Sequence, residues 1–181
     1  MKLKLVERLG ILVKEFPLHY AVKDQLIRQI EEQGDKQNYS TNVKAQMTEW
    51  QMQSPQIDMV HKWIHNEIYN NLISSPISCN YKNVVKNKLI VLDTWGAVYN
   101  KGDYTVNHDH TCAYSFAYFL NTPRGSAPLV FTCSKKAIPA KEGFIVIFPG
   151  IMQHHVPKNK CERRIILSGN YKFDSAGKRI L

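Results

Sequence analysis

The stretch Phe144-Ile145-Val146-Ile147-Phe148-Pro149-Gly150-Ile151-Met152-Gln153-His154-His155-Val156-Pro157 decides how this chain is read. Aromatic and β-branched residues run unbroken until a Pro-Gly pair stops them, and a run that short reads as a strand, not a helix. Leu89–Tyr99, Ala113–Leu120, Leu129–Cys133 and Arg164–Lys172 have the same character. Turn signals separate them at Asn100-Lys101-Gly102-Asp103, at Asn121-Thr122-Pro123-Arg124-Gly125 and at Pro139-Ala140-Lys141-Glu142-Gly143. Many short strands at near-regular spacing predict an antiparallel sandwich, jelly roll or small barrel.

Upstream, the period changes. Lys23–Gln33 places Leu26, Ile27 and Ile30 at helical spacing. Ser54-Pro55 supplies a cap and a first-turn proline, after which Ile57, Val60, Ile64, Ile68 and Leu72 recur at steps of three and four. No repeat, low-complexity tract or linker divides the chain. The expectation is one mainly β (α+β) domain over 1–181, with residues 1–87 as mainly helical support and 88–181 as the core that carries the site.

The 181 residues are 44% apolar and 22% charged, which suits one soluble globular domain with a sizeable core. No apolar run approaches the length of a bilayer span, and Met1–Arg8 is basic without the apolar stretch of a signal peptide. Cys79, Cys112, Cys133 and Cys161 form no C-x-x-C pair, so neither a zinc ribbon nor a disulfide framework is indicated, and a reducing cytoplasmic setting fits. The net charge of +9 is uneven: residues 1–110 hold 13 Lys/Arg against 12 Asp/Glu, whereas 111–181 hold 11 against 3. A half so basic is either a solvated positive face or an attractor of anions or nucleic acid.

Four of the seven histidines fall in the β half: His108, His110, His154 and His155. In extended chain, residues two apart face the same way, so Val106-Asn107-His108-Asp109-His110 aims two imidazoles together and Asp109 away. A third imidazole from the segment after Phe148 completes a facial triad that leaves open positions on a divalent metal. Arg164 opens a strand on which Ile166, Ser168 and Asn170 share its face, and a strand-borne arginine at a metal pocket is a fork for a carboxylate. In the alternative reading, Arg164 forms a surface ion pair with Glu162 or another acid.

In this order the motifs resemble the iron(II)/2-oxoglutarate-dependent oxygenases. These motifs are a Gly-containing loop, a His-x-His pair, a strand ending Tyr118-Phe119-Leu120-Asn121, then Phe148-Pro149, His154-His155-Val156-Pro157, and Arg164. The likeness is to the prolyl-hydroxylase-like branch and its short phage-encoded homologues, and it covers about Trp95–Phe173. It implies a double-stranded β-helix (jelly-roll) core and an oxidoreductase using Fe(II), 2-oxoglutarate and dioxygen. By the same likeness His108 and His154 are metal ligands and Arg164 holds the far carboxylate of 2-oxoglutarate. Tyr99 and Tyr104 resemble the aromatic edge of the pocket. Ser115, Ala117 and Phe119 lie on the inward face of their strand.

The chain departs from the family pattern at two places. His110 stands where the family has a carboxylate, so the second ligand is His110 or, through a local turn, Asp109. Phe119 stands where many relatives carry a tyrosine, which leaves Ser168, Tyr99 or Ser115 for the second co-substrate contact. His154 is preferred to His155 on register. The expected substrate is a protein or peptide side chain of the prolyl type. The alternatives are a nucleobase-demethylating oxygenase, with Lys135, Lys136, Lys158, Lys160 and Arg163 on phosphates, and a non-enzymatic metal-binding jelly-roll module. No membrane partner is expected, and the site of action is the cytoplasm (the host's, for a viral protein). His61 and His65 lie one helical turn apart but lack the glutamate of a zinc protease, and are read as helix-surface histidines.

Overall fold

The computed structural model describes residues 9–36, 41–73 and 89–174. The readings on Met1–Arg8, on Cys79 and on the Leu72 side chain lie outside them. Eleven strands are described: β1 (Leu12–Glu15), β2 (Val43–Lys44), β3 (Gln46–Met47), β4 (Leu89–Tyr99), β5 (Tyr104–His108), β6 (Tyr114–Asn121), β7 (Leu129–Phe131), β8 (Lys136–Ile138), β9 (Phe144–Pro149), β10 (His154–Val156) and β11 (Arg164–Phe173). Two helices, α1 (His19–Gln33) and α2 (Pro55–Glu67), precede β4, and a π-helical turn over Ile68–Ile73 extends α2. Among the described residues no helix is long and apolar enough to cross a membrane.

The strands form two antiparallel sheets, β1-β9-β6-β11-β4-β3 and β2-β5-β10-β7-β8. This is the jelly-roll layering expected from the strand spacing. Side chains alternate across the larger sheet. On β11, Ile165 and Leu167 face the helices, where they pack with Leu26, Ile30, Val60 and Ile64. Ile166 faces the second sheet, together with Ala97, Phe119 and Val146, and meets Leu129, Phe131 and Val156 from it. The sheet is thus buried on both faces, which is why β6 reads as an almost continuous apolar run and why β11 is buried from Arg164 to Tyr171 although its inward row includes polar residues.

The helices form as their sequence dictates. Ser54 caps α2, its hydroxyl accepting from the Ile57 N–H at 3.3 Å, and Pro55 takes the first position. The helix α1 begins at His19, four residues before its periodic stretch, because His19 itself is buried against Tyr118. The N-terminal part is not helical alone. It adds β1 and β3 to the two edges of the larger sheet and β2 to one edge of the smaller.

Candidate metal centre

Strands β5 and β10 are neighbours in the smaller sheet, and their register sets His108 directly opposite His154. Strand β5 ends at His108, so His110 is not on a strand as the spacing predicted. The chain after β5 is held instead by the turn following β9: the His110 N–H donates to the Gly150 carbonyl at 2.8 Å. A Cβ at Gly150 would sit 2.5 Å from Cys112 Sγ, so only glycine permits this approach. One ring nitrogen from each of His108, His110 and His154 lies within 4.8 Å of the others, and the three rings pack with centroids 4.4 to 5.2 Å apart. Asp109 is exposed and outside this cluster; half-buried His155 is outside it too, its Nδ1 facing Thr132 Oγ1 at 3.2 Å.

Two of the rings are oriented by the same local device. His108 Nδ1 donates to the Val106 carbonyl at 2.9 Å, and His154 Nδ1 donates to the Met152 carbonyl at 2.8 Å. A carbonyl oxygen only accepts, so both Nδ1 atoms carry the proton and both Nε2 atoms are bare lone pairs. Burial lowers the pKa of all three imidazoles. His110 falls to about 3, helped by its two histidine neighbours, and His154 to about 4. Neutral imidazoles with unprotonated nitrogens converging on one point are a ready set of divalent-metal ligands.

The cavity beside the cluster is lined by Trp95, Tyr99, Ser115, Phe148, Arg164 and Ser168 among others, and among the described residues no aspartate or glutamate lines it. Arg164 is 1% exposed. Its Nε donates to the Ala127 carbonyl at 3.1 Å, while its Nη1 is buried with no hydrogen-bond partner and no carboxylate pairs with it among the described residues. Its guanidinium carbon lies 4.7 Å over the Tyr99 ring and 5.6 Å from Phe119. The surface ion pair considered for Arg164 belongs to its neighbour. Arg163 is exposed, takes φ 58°, and grips Glu31 through Nε at 2.6 Å and Nη2 at 3.0 Å. That positive-φ residue at the start of β11 helps send two adjacent arginines to opposite sides.

Four expectations are corrected here. Tyr99 is not at the pocket edge but at its floor, 1% exposed, with its hydroxyl 2.8 Å from Thr105 Oγ1. Tyr104 is 36% exposed and does not line the cavity, because it is one residue out of phase with Thr105 on β5. His61 is not on a helix surface. It is buried, with Nδ1 2.5 Å from the Tyr171 hydroxyl and Nε2 2.9 Å from Thr94 Oγ1. Arg163, placed among the phosphate contacts, is instead paired with Glu31 at the surface.

No family model matches the chain, and no curated protein sequence matches it. Solved structures do. A collagen prolyl hydroxylase from Paramecium bursaria Chlorella virus-1, in complex with 2-oxoglutarate, is 18% identical, with a TM-score of 0.68 over 89% of this chain and 94% of that one. A Pseudomonas putida prolyl-4-hydroxylase is 17% identical, with a TM-score of 0.65 over 91% and 92%. The Trichoplax adhaerens prolyl hydroxylase, bound to a hypoxia-inducible-factor peptide fragment, is 13% identical, with a TM-score of 0.64 over 90% and 84%. This chain has the fold of the prolyl-hydroxylase type of 2-oxoglutarate/iron(II) oxygenases.

Proposed function

We propose that the protein is an iron(II)- and 2-oxoglutarate-dependent dioxygenase that hydroxylates a protein or peptide side chain of the prolyl type. The observation that carries this reading is a buried, unpaired guanidinium in the same cavity as three converging imidazoles. Burying a cation without a counter-charge costs several kcal/mol, so the Arg164 end of the cavity is a standing demand for an anion. A purely structural metal site would have no use for it, which weighs against the binding-module alternative. The known substrates of the similar structures support a peptide substrate by analogy of fold only.

In this reading His108, His110 and His154 would hold the metal, which would supply the oxidative chemistry that couples hydroxylation to the decarboxylation of 2-oxoglutarate. The Val106 and Met152 carbonyls fix the tautomers that leave His108 and His154 free to ligate. Arg164 takes the far carboxylate of 2-oxoglutarate in a charge-assisted fork, braced by Tyr99 below it and Ala127 behind it. Ser168 is the second contact, since its hydroxyl lines the cavity with no partner among the described residues, whereas the Tyr99 hydroxyl is engaged by Thr105. The free described cysteines Cys112, Cys133 and Cys161 fit the reducing cytoplasm.

The test is anaerobic titration of the iron(II)-loaded protein with 2-oxoglutarate, following the visible charge-transfer band of the chelate. Arg164→Ala is expected to keep the metal and weaken 2-oxoglutarate by roughly 100-fold or more, while Arg163→Ala stays close to the parent. Absence of the band in the parent, or equal affinity in both variants, overturns the reading.

A further inference from the structure

The inward side chains of β11 run Arg164, Ile166, Ser168, Asn170, and the two ends of that row differ in chemistry. Asn170 stands in register with Asp93 on β4 and with Ser115 on β6, so the three form one rung across the inner face of the sheet. Asn170 Nδ2 donates to Asp93 Oδ1 at 2.8 Å, and Ser115 Oγ donates to Asn170 Oδ1 at 2.7 Å. Ser115 and Asn170 are 1% and 6% exposed, so water does not compete for these bonds.

The direction of this chain is dictated from one end. An ionised carboxylate only accepts, so the amide nitrogen of Asn170 must face Asp93 and the amide oxygen must face Ser115. The single hydroxyl proton of Ser115 then goes to that oxygen. Ser115 also lines the cavity; the Cys112 thiol lies 3.3 Å from its Oγ and takes one lone pair, so with its proton engaged Ser115 offers the cavity its remaining lone pair only. Ser168, one rung along the same wall, has no such commitment and is free to donate. Two serines on one wall are therefore sorted into a donor and an acceptor by what stands behind them. Arg164 and Asn170 are six residues apart on one strand, a span of about 20 Å, so the acceptor end is remote from the cationic end.

We propose that Ser115 is a specificity-determining residue: with 2-oxoglutarate held at the Arg164 end, the opposite end accepts a hydrogen bond from a neutral amide of the substrate and turns a carboxylate away. An amide N–H meets the Ser115 lone pair directly. A carboxylate meets it lone pair against lone pair, with the Asp93 charge behind. This inference rests on the dioxygenase reading above, since it takes the Arg164 end as already filled.

The experiment uses the whole protein loaded with manganese(II) and saturated with 2-oxoglutarate at neutral pH. N-methylacetamide and acetate, matched in size, are added in turn, and paramagnetic broadening of their methyl protons is read against a zinc(II)-loaded control. The amide is expected to broaden, and acetate to stay at the control level. Ser115→Ala is expected to cut the amide broadening at least about threefold, and Ser115→Thr, which keeps the acceptor, to restore it. Asp93→Asn frees Asn170 to turn round and Ser115 to donate, so the two probes are expected to come within about twofold of each other. Acetate broadened as strongly as the amide in the parent, or an amide signal untouched by Ser115→Ala, overturns the inference. If 2-oxoglutarate binds and the probes behave alike, this inference alone falls. If 2-oxoglutarate does not bind, the dioxygenase reading falls and this falls with it.

Discussion

His61 on one side of the larger sheet and the three clustered histidines on the other are both drawn into the protein, and only the cluster is built to hold a metal. His61 on α2 is buried, and burial lowers its pKa to about 4, as it does for His154 in the cavity. The difference lies in what each ring nitrogen touches. Both nitrogens of His61 are engaged, one by Tyr171 and one by Thr94. His108 and His154 each give Nδ1 to a backbone carbonyl two residues earlier and leave Nε2 facing its neighbours. Burial and a depressed pKa therefore do not mark a ligand. An unengaged nitrogen beside two others does.

The largest effect that distinguishes the two groups is metal binding itself. The parent is expected to bind about one iron(II), manganese(II) or cobalt(II) per chain, and His108→Ala or His154→Ala to lose it while remaining folded. His61→Ala should keep the full stoichiometry, measured by metal analysis after gel filtration. The comparison sharpens at the second ligand: His110→Ala loses the metal and Asp109→Ala retains it. The reverse result would make the centre a two-histidine, one-carboxylate site.

Stability reverses the order of the two groups. His61→Ala removes a buried ring and strands the Tyr171 and Thr94 hydroxyls, which should cost about 2–4 kcal/mol in denaturant unfolding. His108→Ala, at the mouth of the cavity, should cost much less. Equal losses would mean that both groups serve packing alone.

Acid provides the smaller and finer test. The unfolded chain protonates His61 near its ordinary value of 6.5, the folded chain only at about 4. Between those values the unfolded state binds more protons, so stability is full above pH 6.5 and falls as pH drops through that window. The His61 share is roughly 3 kcal/mol in total. Other buried histidines slope the same way, so the measurement is the difference between the parent and His61→Gln across pH 4.5 to 6.5. A constant difference would show that His61 titrates normally in the fold.

Much of this was legible in the sequence where the signal is local. Ser54-Pro55 marked the start of α2 to the residue, and the runs around Val146 and Ile166 marked the strands of the larger sheet. The two- to four-residue strands β1, β2, β3 and β8 were not legible, because so few residues carry no period and their pairing is supplied by distant partners. Arg164 was distinguished from Arg163 by parity along a strand, and the structure places them on opposite sides. His61 misled because H-x-x-x-H on an amphipathic helix looks the same whether the stripe faces solvent or a sheet. Its partners, Thr94 and Tyr171, lie far along the chain. Tyr104 was assigned to the pocket by family resemblance, and the strand phase that turns it outward only appears once Thr105 is seen bonded to Tyr99.

The position of β11 sets a timetable for the newborn chain. This strand lies between β6 and β4 in the larger sheet and carries Arg164, yet it is the last of the described strands to leave the ribosome. Until it emerges, β4 and β6 have no partner on their facing edges, and the helices have only part of a surface to rest on. Such a sheet cannot assemble strand by strand in chain order: the contacts that β4 and β6 make with β11, far apart in sequence, must wait until residues 164–173 have emerged and then form together. A translation product cut short before residue 164 would hold all three clustered histidines and lack the strand that joins β4 to β6 behind them.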